Sequence, residues 1–207
     1  MTISTPICER FGIDVPIVQT GMGWVAGARL VSATTAAGAL GILASATMTY
    51  DQLEAAIREV RSRTDRPFGV NLRADAEDAD ARVALLIRER VPVASFALAP
   101  REEQIKQLKD AGLAVVPSIG ARRHAEKVAA WGADAVIVQG GEGGGHTGAV
   151  ATSLLLPQVV DAVDIPVIGA AASSTAAGSS PRWPTAPPAS RWARGSCSHR
   201  RAPSPIR

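Results

Sequence analysis

The chain has 207 residues, which suits one large domain, and its formal net charge of +3 comes from its C-terminal end. Residues 171–207 contain six of the 22 basic residues and none of the 19 acidic ones, so residues 1–170 are weakly acidic overall and offer no argument for a nucleic-acid partner. No apolar run approaches the ~18 residues of a membrane span. The N-terminal residues lack the basic and apolar regions of a signal peptide, so we predict a cytoplasmic protein with no membrane partner.

Strand-like and helix-like segments alternate along residues 16–170. Short apolar runs predict strands, and apolar residues at helical spacing, such as Leu53, Ile57 and Val60, predict the helices between them. The predicted strands are 16–20, 39–45, 68–72, 91–98, 115–120, 135–139 and 166–170. The predicted helices are 27–38, 50–63, 80–90, 101–111, 121–131 and 153–163. Strands that are apolar throughout are typical of a parallel sheet covered by helices.

A doubly wound sheet and a TIM (β/α)₈ barrel both fit this alternation. The even spacing of the units favours the barrel. Polar and glycine-rich segments also follow the first, third and sixth strands, and barrel active sites are built at the carboxyl ends of the strands. We therefore predict an α/β protein whose residues 1–170 form an incomplete TIM barrel, truncated after strand seven. The two cysteines, Cys8 and Cys197, form no metal-binding motif, and we predict no metal site.

Residues 171–207 lose the hydrophobic periodicity and are rich in Ser, Pro, Ala and Arg. Such a composition predicts a disordered tail. With GC-rich codons, residues 171–198 read from the third base of each codon give GFFDGRGLVAALAYGAAGVAMGTRFLL. This reading restores a helix, a strand and a GTRF turn, which are the elements that would follow strand seven. We therefore interpret residues 171–207 as an out-of-frame tail.

The densest chemical signal is the segment QGGEGGGHTG at 139–148, directly after the sixth predicted strand. Glycines let the backbone approach a ligand closely and leave N–H groups free to bind anions. His146 can act as a general base or acid near neutral pH. A flexible loop with an incidental histidine is the alternative. The place of the loop at the end of a barrel strand favours the catalytic interpretation.

Two further segments follow strands one and three. Gly21 and Gly23 flank Met22, and paired glycines suggest a backbone wall against a flat ring system; an ordinary βα turn is the alternative. Asn71 lies at the carboxyl end of the third predicted strand, where its amide can hydrogen-bond the edge of a ligand. The commoner use of Asn in this position is as a turn or cap residue.

Five segments together carry a family resemblance: PIVQTGMGWVA, GALGILAS, RPFGVNL, GADAVIVQGGEGGGHTG and LLPQVVDAVDIPVI. They resemble the nitronate monooxygenase (2-nitropropane dioxygenase) family and the related flavin-dependent enoyl-thioester reductases. The resemblance covers about residues 16–170. It implies a TIM barrel that binds FMN non-covalently, without a Rossmann motif, and an enzyme that oxidises nitronates or nitroalkanes with O₂.

The resemblance also assigns roles to individual residues. Gly21 and Met22 would lie beside the isoalloxazine, and Asn71 and Gln139 would hydrogen-bond the flavin ring. His146 matches the catalytic histidine, which deprotonates or positions the nitro substrate while the flavin carries out the redox chemistry.

The phosphate end of the cofactor is assigned in the same way. Gly144 would lie near the ribityl phosphate chain, Gly145 belongs to the same loop, and Gly169 is the remnant of a GG loop after strand seven. Family members also use a GTR loop after strand eight, in agreement with the general phosphate site of barrels. That loop is absent from this reading frame, so we expect weak FMN retention.

Two departures from the family pattern leave alternatives open. Family monooxygenases usually carry Ala at the position of Gly143, and the segment GMGWVA is more similar to the enoyl-reductase branch. An FMN-dependent reductase of enoyl thioesters of acyl-carrier protein or CoA, using NAD(P)H, is therefore an alternative, and an inactive truncated remnant is another. For an active enzyme the expected partner is a small molecule, either a nitronate or an enoyl thioester. A homo-oligomer is expected only if the barrel is complete.

Overall fold

The computed structural model describes residues 5–144 and 148–170. Within them, helices and strands alternate after a first short helix. The helices are α1 (Pro6–Phe11), α2 (Ala28–Ala36), α3 (Tyr50–Arg63), α4 (Ala79–Arg88), α5 (Glu102–Asp110), α6 (Arg122–Ala130) and α7 (Thr152–Val160). The strands are β1 (Val18–Gln19), β2 (Leu40–Ala44), β3 (Gly69–Arg73), β4 (Val93–Ala97), β5 (Ala114–Ile119), β6 (Val136–Gln139) and β7 (Val167–Ala170). Of the helices in these residues, none is both long and apolar enough to cross a membrane.

The strands form one parallel sheet in which each strand pairs with the next one in sequence, from β1 to β7. A doubly wound sheet reverses its strand order next to its first strand, so the consecutive order decides against that alternative. The curled sheet with helices between its strands is the predicted TIM-barrel architecture, described here through its seventh strand. The predicted fold class is confirmed.

Strands β2 to β6 bury both of their faces along most of their length. Alternate residues of a strand point to opposite sides of the sheet. Val70, Leu72 and Phe96 belong to the outer cluster, in which they pack with helix residues such as Leu53 and Ile57 of α3. The opposite residues of the same strands line the inside of the barrel. This two-sided burial is the reason why the strands are apolar along their whole length.

The inside of the barrel forms a second apolar cluster that includes α1. The strand residues Leu40, Ile42, Val93, Val116 and Ile137 pack there with Ile7, Cys8, Phe11 and Ile13. The segment that follows α1 lies against the amino ends of β2 and β3, since the Asp14 N–H donates to the Gly38 carbonyl at 2.7 Å. The amino end of the barrel interior is therefore covered by α1.

Two elements differ from the sequence prediction. The sequence pattern indicated no helix before residue 16, because the six residues of α1 are too few to show a helical period. Strand β1 has two residues where 16–20 were predicted, since it pairs only with β2 within the described part of the chain. The predicted disordered and out-of-frame tail at 171–207 lies outside the described residues.

One buried carboxylate joins the elements at the amino end. Asp134 precedes β6 and is 4% exposed. It accepts hydrogen bonds from the Val115 backbone N–H at 2.7 Å and from Lys109 Nζ at 2.6 Å. It also forms an ion pair with Arg10 of α1. A single side chain thus connects α1, α5 and β5.

Replacing Asp134 with Ala should destabilise the fold. The substitution leaves the Val115 N–H and the half-buried Lys109 ammonium without their acceptor, and we expect a loss of about 2–3 kcal/mol in the free energy of unfolding. Urea denaturation followed by circular dichroism measures this change. Asp110→Ala, which removes an exposed carboxylate, is the control and should change the free energy of unfolding by less than about 0.5 kcal/mol. Equal effects of the two substitutions would contradict this account of Asp134.

Candidate active site at the carboxyl end of the barrel

The inner face of the sheet changes from apolar to polar toward the carboxyl ends of the strands. Val93, Val116 and Ile137 lie in the inner cluster, and the residues two positions further along the same strands are Ser95, Ser118 and Gln139. On β3 the equivalent residue is Asn71, which pairs in register with Ser95. Strand alternation therefore gathers hydroxyl and amide groups at the open end of the barrel.

Asn71 contacts both neighbouring strands and the loop after β1. Its Nδ2 donates to the buried Ser95 Oγ at 3.3 Å, and its backbone carbonyl accepts from Ser45 Oγ at 2.6 Å. A Cβ atom on Gly21 would lie 2.5 Å from Asn71 Cβ, so no other residue fits at position 21 without displacing Asn71. The structure thus brings two predicted site residues into direct contact.

Met22 follows Gly21 and is 42% exposed at this end of the barrel. Its carbonyl accepts from the N–H groups of Val25 at 3.1 Å and Ala26 at 2.8 Å, which closes a turn. Ala26 is buried, and its carbonyl accepts from the Ala44 N–H at 3.0 Å. The loop between β1 and α2 is therefore attached to β2 while its apolar side chains face outward.

Gln139 organises the glycine-rich loop that follows β6. Its Nε2 donates to the Gly144 carbonyl, and its own carbonyl accepts from the Gly148 N–H at 3.2 Å. A Cβ on Gly143 would approach Gln139 Cγ to 3.0 Å, so the loop backbone lies close along this side chain. The predicted site residues Gln139 and Gly144 are therefore in contact.

Glu142 connects the same loop to α7. Its two carboxylate oxygens accept from Ser153, at 3.0 Å from the backbone N–H and 3.1 Å from Oγ. A carboxylate at this position satisfies a free N–H of the first helical turn and interacts favourably with the helix dipole. Sequence reasoning did not identify this role. The only available signal was an acid in the loop with Ser153 at the start of the next helix.

The far end of the loop packs against β5 through two glycines. A Cβ on Gly148 would lie 2.8 Å from the Gly120 carbonyl oxygen and 2.9 Å from its Cα. Gly140 is equally confined, since a Cβ there would lie 2.2 Å from the Val150 carbonyl oxygen. These contacts hold both ends of the loop. The predicted site residues Gly145 and His146 lie in the segment 145–147, outside the described residues.

Gly169 and Gln19 also lie near the carboxyl ends of their strands, where their contacts differ from those of the predicted site residues described above. Gly169 lies on β7 and pairs in register with Val138 of β6. A Cβ on Gly169 would lie 3.6 Å from the side chain of Leu156 in α7. Its predicted phosphate contact therefore remains a prediction that would involve backbone atoms. Gln19 Oε1 is a buried acceptor without a hydrogen-bond partner among the described residues. Because the neighbouring Val18 packs into the inner cluster, Gln19 leaves β1 on the opposite face, and we do not assign it to the site.

A cavity of about 310 Å³ adjoins the polar end of β3. Its walls include Ser45, Arg73, Asp75 and Arg82. The hydrogen bond from Arg73 to Asp75, followed by the charge of that carboxylate, raises the pKa of the Arg73 guanidinium. Arg82 donates to the carbonyls of Ser45 at 2.9 Å and Met48 at 2.8 Å, which fixes the segment after β2. Arg73 and Asn71 lie two positions apart on β3, so both belong to the same face of the strand.

This chain matches the family model described as nitronate monooxygenase, over residues 4–83 and 75–176. It belongs to the nitronate monooxygenase family. The family consists of flavin-dependent oxidoreductases. The sequence resemblance is thereby confirmed, and the polar strand ends and glycine contacts described above lie inside the matched region.

Three individual relatives show how similar this chain is to particular members and neighbours of the family. The chain is 68% identical to the (3aS,4S,5R,7aS)-5-hydroxy-7a-methyl-1-oxo-octahydro-1H-indene-4-carboxyl-CoA dehydrogenase of Rhodococcus jostii (strain RHA1), over 82% of this chain and 48% of that protein. It is 30% identical to a probable nitronate monooxygenase of Bacillus subtilis (strain 168), over 78% of this chain and 59% of that protein. The solved structure of FabK from Thermotoga maritima superposes with a TM-score of 0.79 at 41% identity, over 81% of this chain and 54% of that one. The chain spans about half the length of the first of these relatives.

The groups at the carboxyl end fit a flavin. A flat ring system needs hydrogen-bonding partners for its polar edge, and Asn71 and Gln139 carry amide groups at this end of the barrel. The partly exposed Met22 supplies an apolar surface beside them. The apolar inner cluster below closes the site from the amino end.

The close glycine contacts of the loop after β6 can be tested by measuring the free energy of unfolding of glycine variants. Gly148→Ala places a methyl group against the Gly120 backbone, and we expect a loss of about 1–3 kcal/mol in the free energy of unfolding. Gly144→Ala is the matched control in the same loop, since a Cβ there meets nothing within 4 Å. Thermal and urea denaturation of both variants measure the difference. A Gly148→Ala variant as stable as Gly144→Ala would contradict the close packing of β5 and the loop.

Proposed function

We propose that this chain acts as an FMN-dependent dehydrogenase of a coenzyme A thioester. The observation that carries the proposal is the difference between the two relatives, since identity falls from 68% for the CoA-thioester dehydrogenase to 30% for the probable nitronate monooxygenase. The acyl group in the first relative's name is a methylated octahydroindene that carries one hydroxyl group, one oxo group and the carboxyl-CoA substituent. A bulky, largely apolar acyl thioester is therefore the proposed substrate class.

The two substrate types share one chemical feature. A thioester carbonyl and a nitro group both acidify the C–H bond next to them. The same base can therefore remove a proton from either kind of substrate, which explains how a single site architecture supports both reactions within one family. Flavin, when bound, supplies the acceptor for the hydride or electrons that leave the substrate.

The residues of this chain are proposed to bind the cofactor and handle the proton. The backbone at Gly21, with Met22, would form the wall beside the flavin ring, and Asn71 and Gln139 would hydrogen-bond its edge. His146, in the glycine-rich loop, would be the general base. The phosphate end would be held by backbone N–H groups at 144–145 and at Gly169, since glycine-rich backbone binds anions.

Binding of FMN is the first test, by titration of the purified full chain and of Asn71→Ala. Losing one hydrogen-bonding amide should raise the FMN dissociation constant by about 10-fold, as expected for a hydrogen bond of roughly 1.5 kcal/mol. Gln107→Ala, which removes an exposed amide from α5, is the control and should leave FMN binding unchanged. An unchanged dissociation constant in Asn71→Ala would remove Asn71 from the cofactor site.

The substrate is tested by anaerobic reduction of the FMN-loaded protein. We expect a bicyclic carboxyl-CoA thioester to bleach the flavin absorbance faster than an equal concentration of a nitronate. Faster reduction by the nitronate would favour the second candidate function, oxidation of nitronates, which the family match supports. Rapid oxidation of NADH that depends on an enoyl thioester would instead favour an enoyl-thioester reductase.

His146→Ala should slow the proton-transfer step. General acid–base groups contribute about 10²–10⁴-fold, so turnover of a thioester or a neutral nitroalkane should fall by that factor. A preformed nitronate has already lost its proton and should be affected much less. The FMN affinity should equal that of the unaltered chain, and His124→Ala on α6 is the matched control. Equal losses on nitroalkane and nitronate would exclude a base role for His146.

A further inference from the structure

The loop between β1 and α2 exposes a bulky aromatic residue at the open end of the barrel. Trp24 is 88% exposed, more than any other large apolar side chain identified as exposed in the described residues. Its neighbour Val25 is 61% exposed. Full exposure of a tryptophan forgoes a large hydrophobic gain, so packing within the described residues does not account for this side chain.

The backbone conformation of Trp24 is also energetically unfavourable. Its φ of +64° lies in the left-handed region, which bulky residues rarely adopt. In the turn closed by the hydrogen bond from Val25 N–H to the Met22 carbonyl, a glycine or asparagine would adopt this conformation at little cost. Gly23 occupies the preceding position of the turn, so its conformational freedom does not relieve the strain at Trp24. Neither turn chemistry nor burial therefore explains a tryptophan here, and such disagreements are expected at functional sites.

The surrounding contacts keep Trp24 in this conformation. Its backbone N–H donates to Thr47 Oγ1 at 3.4 Å, and a Cβ on Gly23 would lie 3.2 Å from Thr47 Cγ2. The loop thus rests on the segment after β2. Three residues earlier, Gly21 lies against Asn71. Trp24 is therefore attached to the same strand ends that carry the proposed cofactor site.

A second residue at the carboxyl end shows the same combination. Leu98 follows β4, has a φ of +70° and is 43% exposed. Two loops at the open end of the barrel therefore each present a bulky apolar side chain from left-handed backbone. The amino end, by contrast, is closed by α1.

We propose that Trp24 is a specificity residue whose ring contacts the apolar acyl group of the thioester substrate. This inference rests on the proposed function, which supplies a saturated bicyclic acyl group as the occupant. The bicycle in that relative's name carries one hydroxyl and one oxo group, and the rest of its carbon framework is apolar. An aromatic face suits contact with this apolar part of the acyl group. Binding of the substrate would then bury the exposed ring and recover the hydrophobic free energy that the free loop lacks.

Calorimetric binding measurements on the purified full chain test the proposal. The probes are the CoA thioester of octahydroindene-4-carboxylic acid, acetyl-CoA and free CoA. Trp24→Ala should weaken binding of the bicyclic thioester by roughly 10-fold or more, as for other buried aromatic contacts, and leave acetyl-CoA and free CoA unchanged. Trp24→Phe should retain most of the affinity. Ile17→Ala removes a residue of 61% exposure at the other end of β1 and should change nothing.

A separate readout distinguishes contact with the substrate from a structural role. Asn tolerates left-handed backbone, so Trp24→Asn should lose affinity for the bicyclic thioester without lowering the melting temperature. A lower melting temperature would mean that Trp24 packs against protein, whether another segment or a second copy, and would overturn the inference. Equal weakening for free CoA would overturn it as well, because the contact would then be with the nucleotide.

The failure of this inference can be told apart from failure of the proposed function. If the unaltered chain binds the bicyclic thioester and Trp24→Ala binds it equally well, only the role of Trp24 is wrong. If the unaltered chain binds neither thioester, the proposed function fails and the role of Trp24 fails with it.

Discussion

The structure depends on the parallel pairing of each strand with the next one in sequence. This pairing brings the carboxyl ends of β1 to β7 to one edge and makes every second side chain face the inside of the curled sheet. Apolar inner residues then meet α1 at the amino end, while Asn71, Ser95, Ser118 and Gln139 meet at the open end. The position of the candidate site follows from this single constraint.

Close backbone approach, made possible by missing side chains, assembles the site. Gly21 presses against Asn71, and Gly148 presses against Gly120, in each case at distances that leave no room for a Cβ. Polar side chains then secure the loops around these contacts, as Glu142 does for Ser153 at the start of α7. The resulting arrangement has rigid anchors and a glycine-rich backbone between them, which suits a site that must surround a flat cofactor with exposed N–H groups.

The two kinds of substrate connected with this family share an activated C–H bond and differ in size. Nitro groups and thioesters both acidify the neighbouring C–H bond, the nitro group far more strongly, and we propose that the same polar strand ends and histidine loop serve both. We propose that discrimination occurs at the rim of the barrel, where side chains would meet the part of the substrate that does not react. The exposed apolar side chains of Trp24 and Leu98 lie on that rim, and their left-handed backbone shows that the loops hold them there at a cost.

The sequence by itself determined the alternation of strands and helices, the barrel class and the family, because hydrophobic period and glycine density are local properties of the chain. It also predicted Gly21, Asn71, Gln139 and Gly144 as site residues, and their roles toward a cofactor stay predictions. Only the tertiary structure decided the closure of the barrel by α1, the carboxylate junction at Asp134, the helix contact of Glu142 and the exposure of Trp24. Each of these depends on residues far apart in sequence, and no local pattern encodes which distant groups will meet. The roles of His146 and Gly145 remain predictions from the sequence, since both lie outside the described residues.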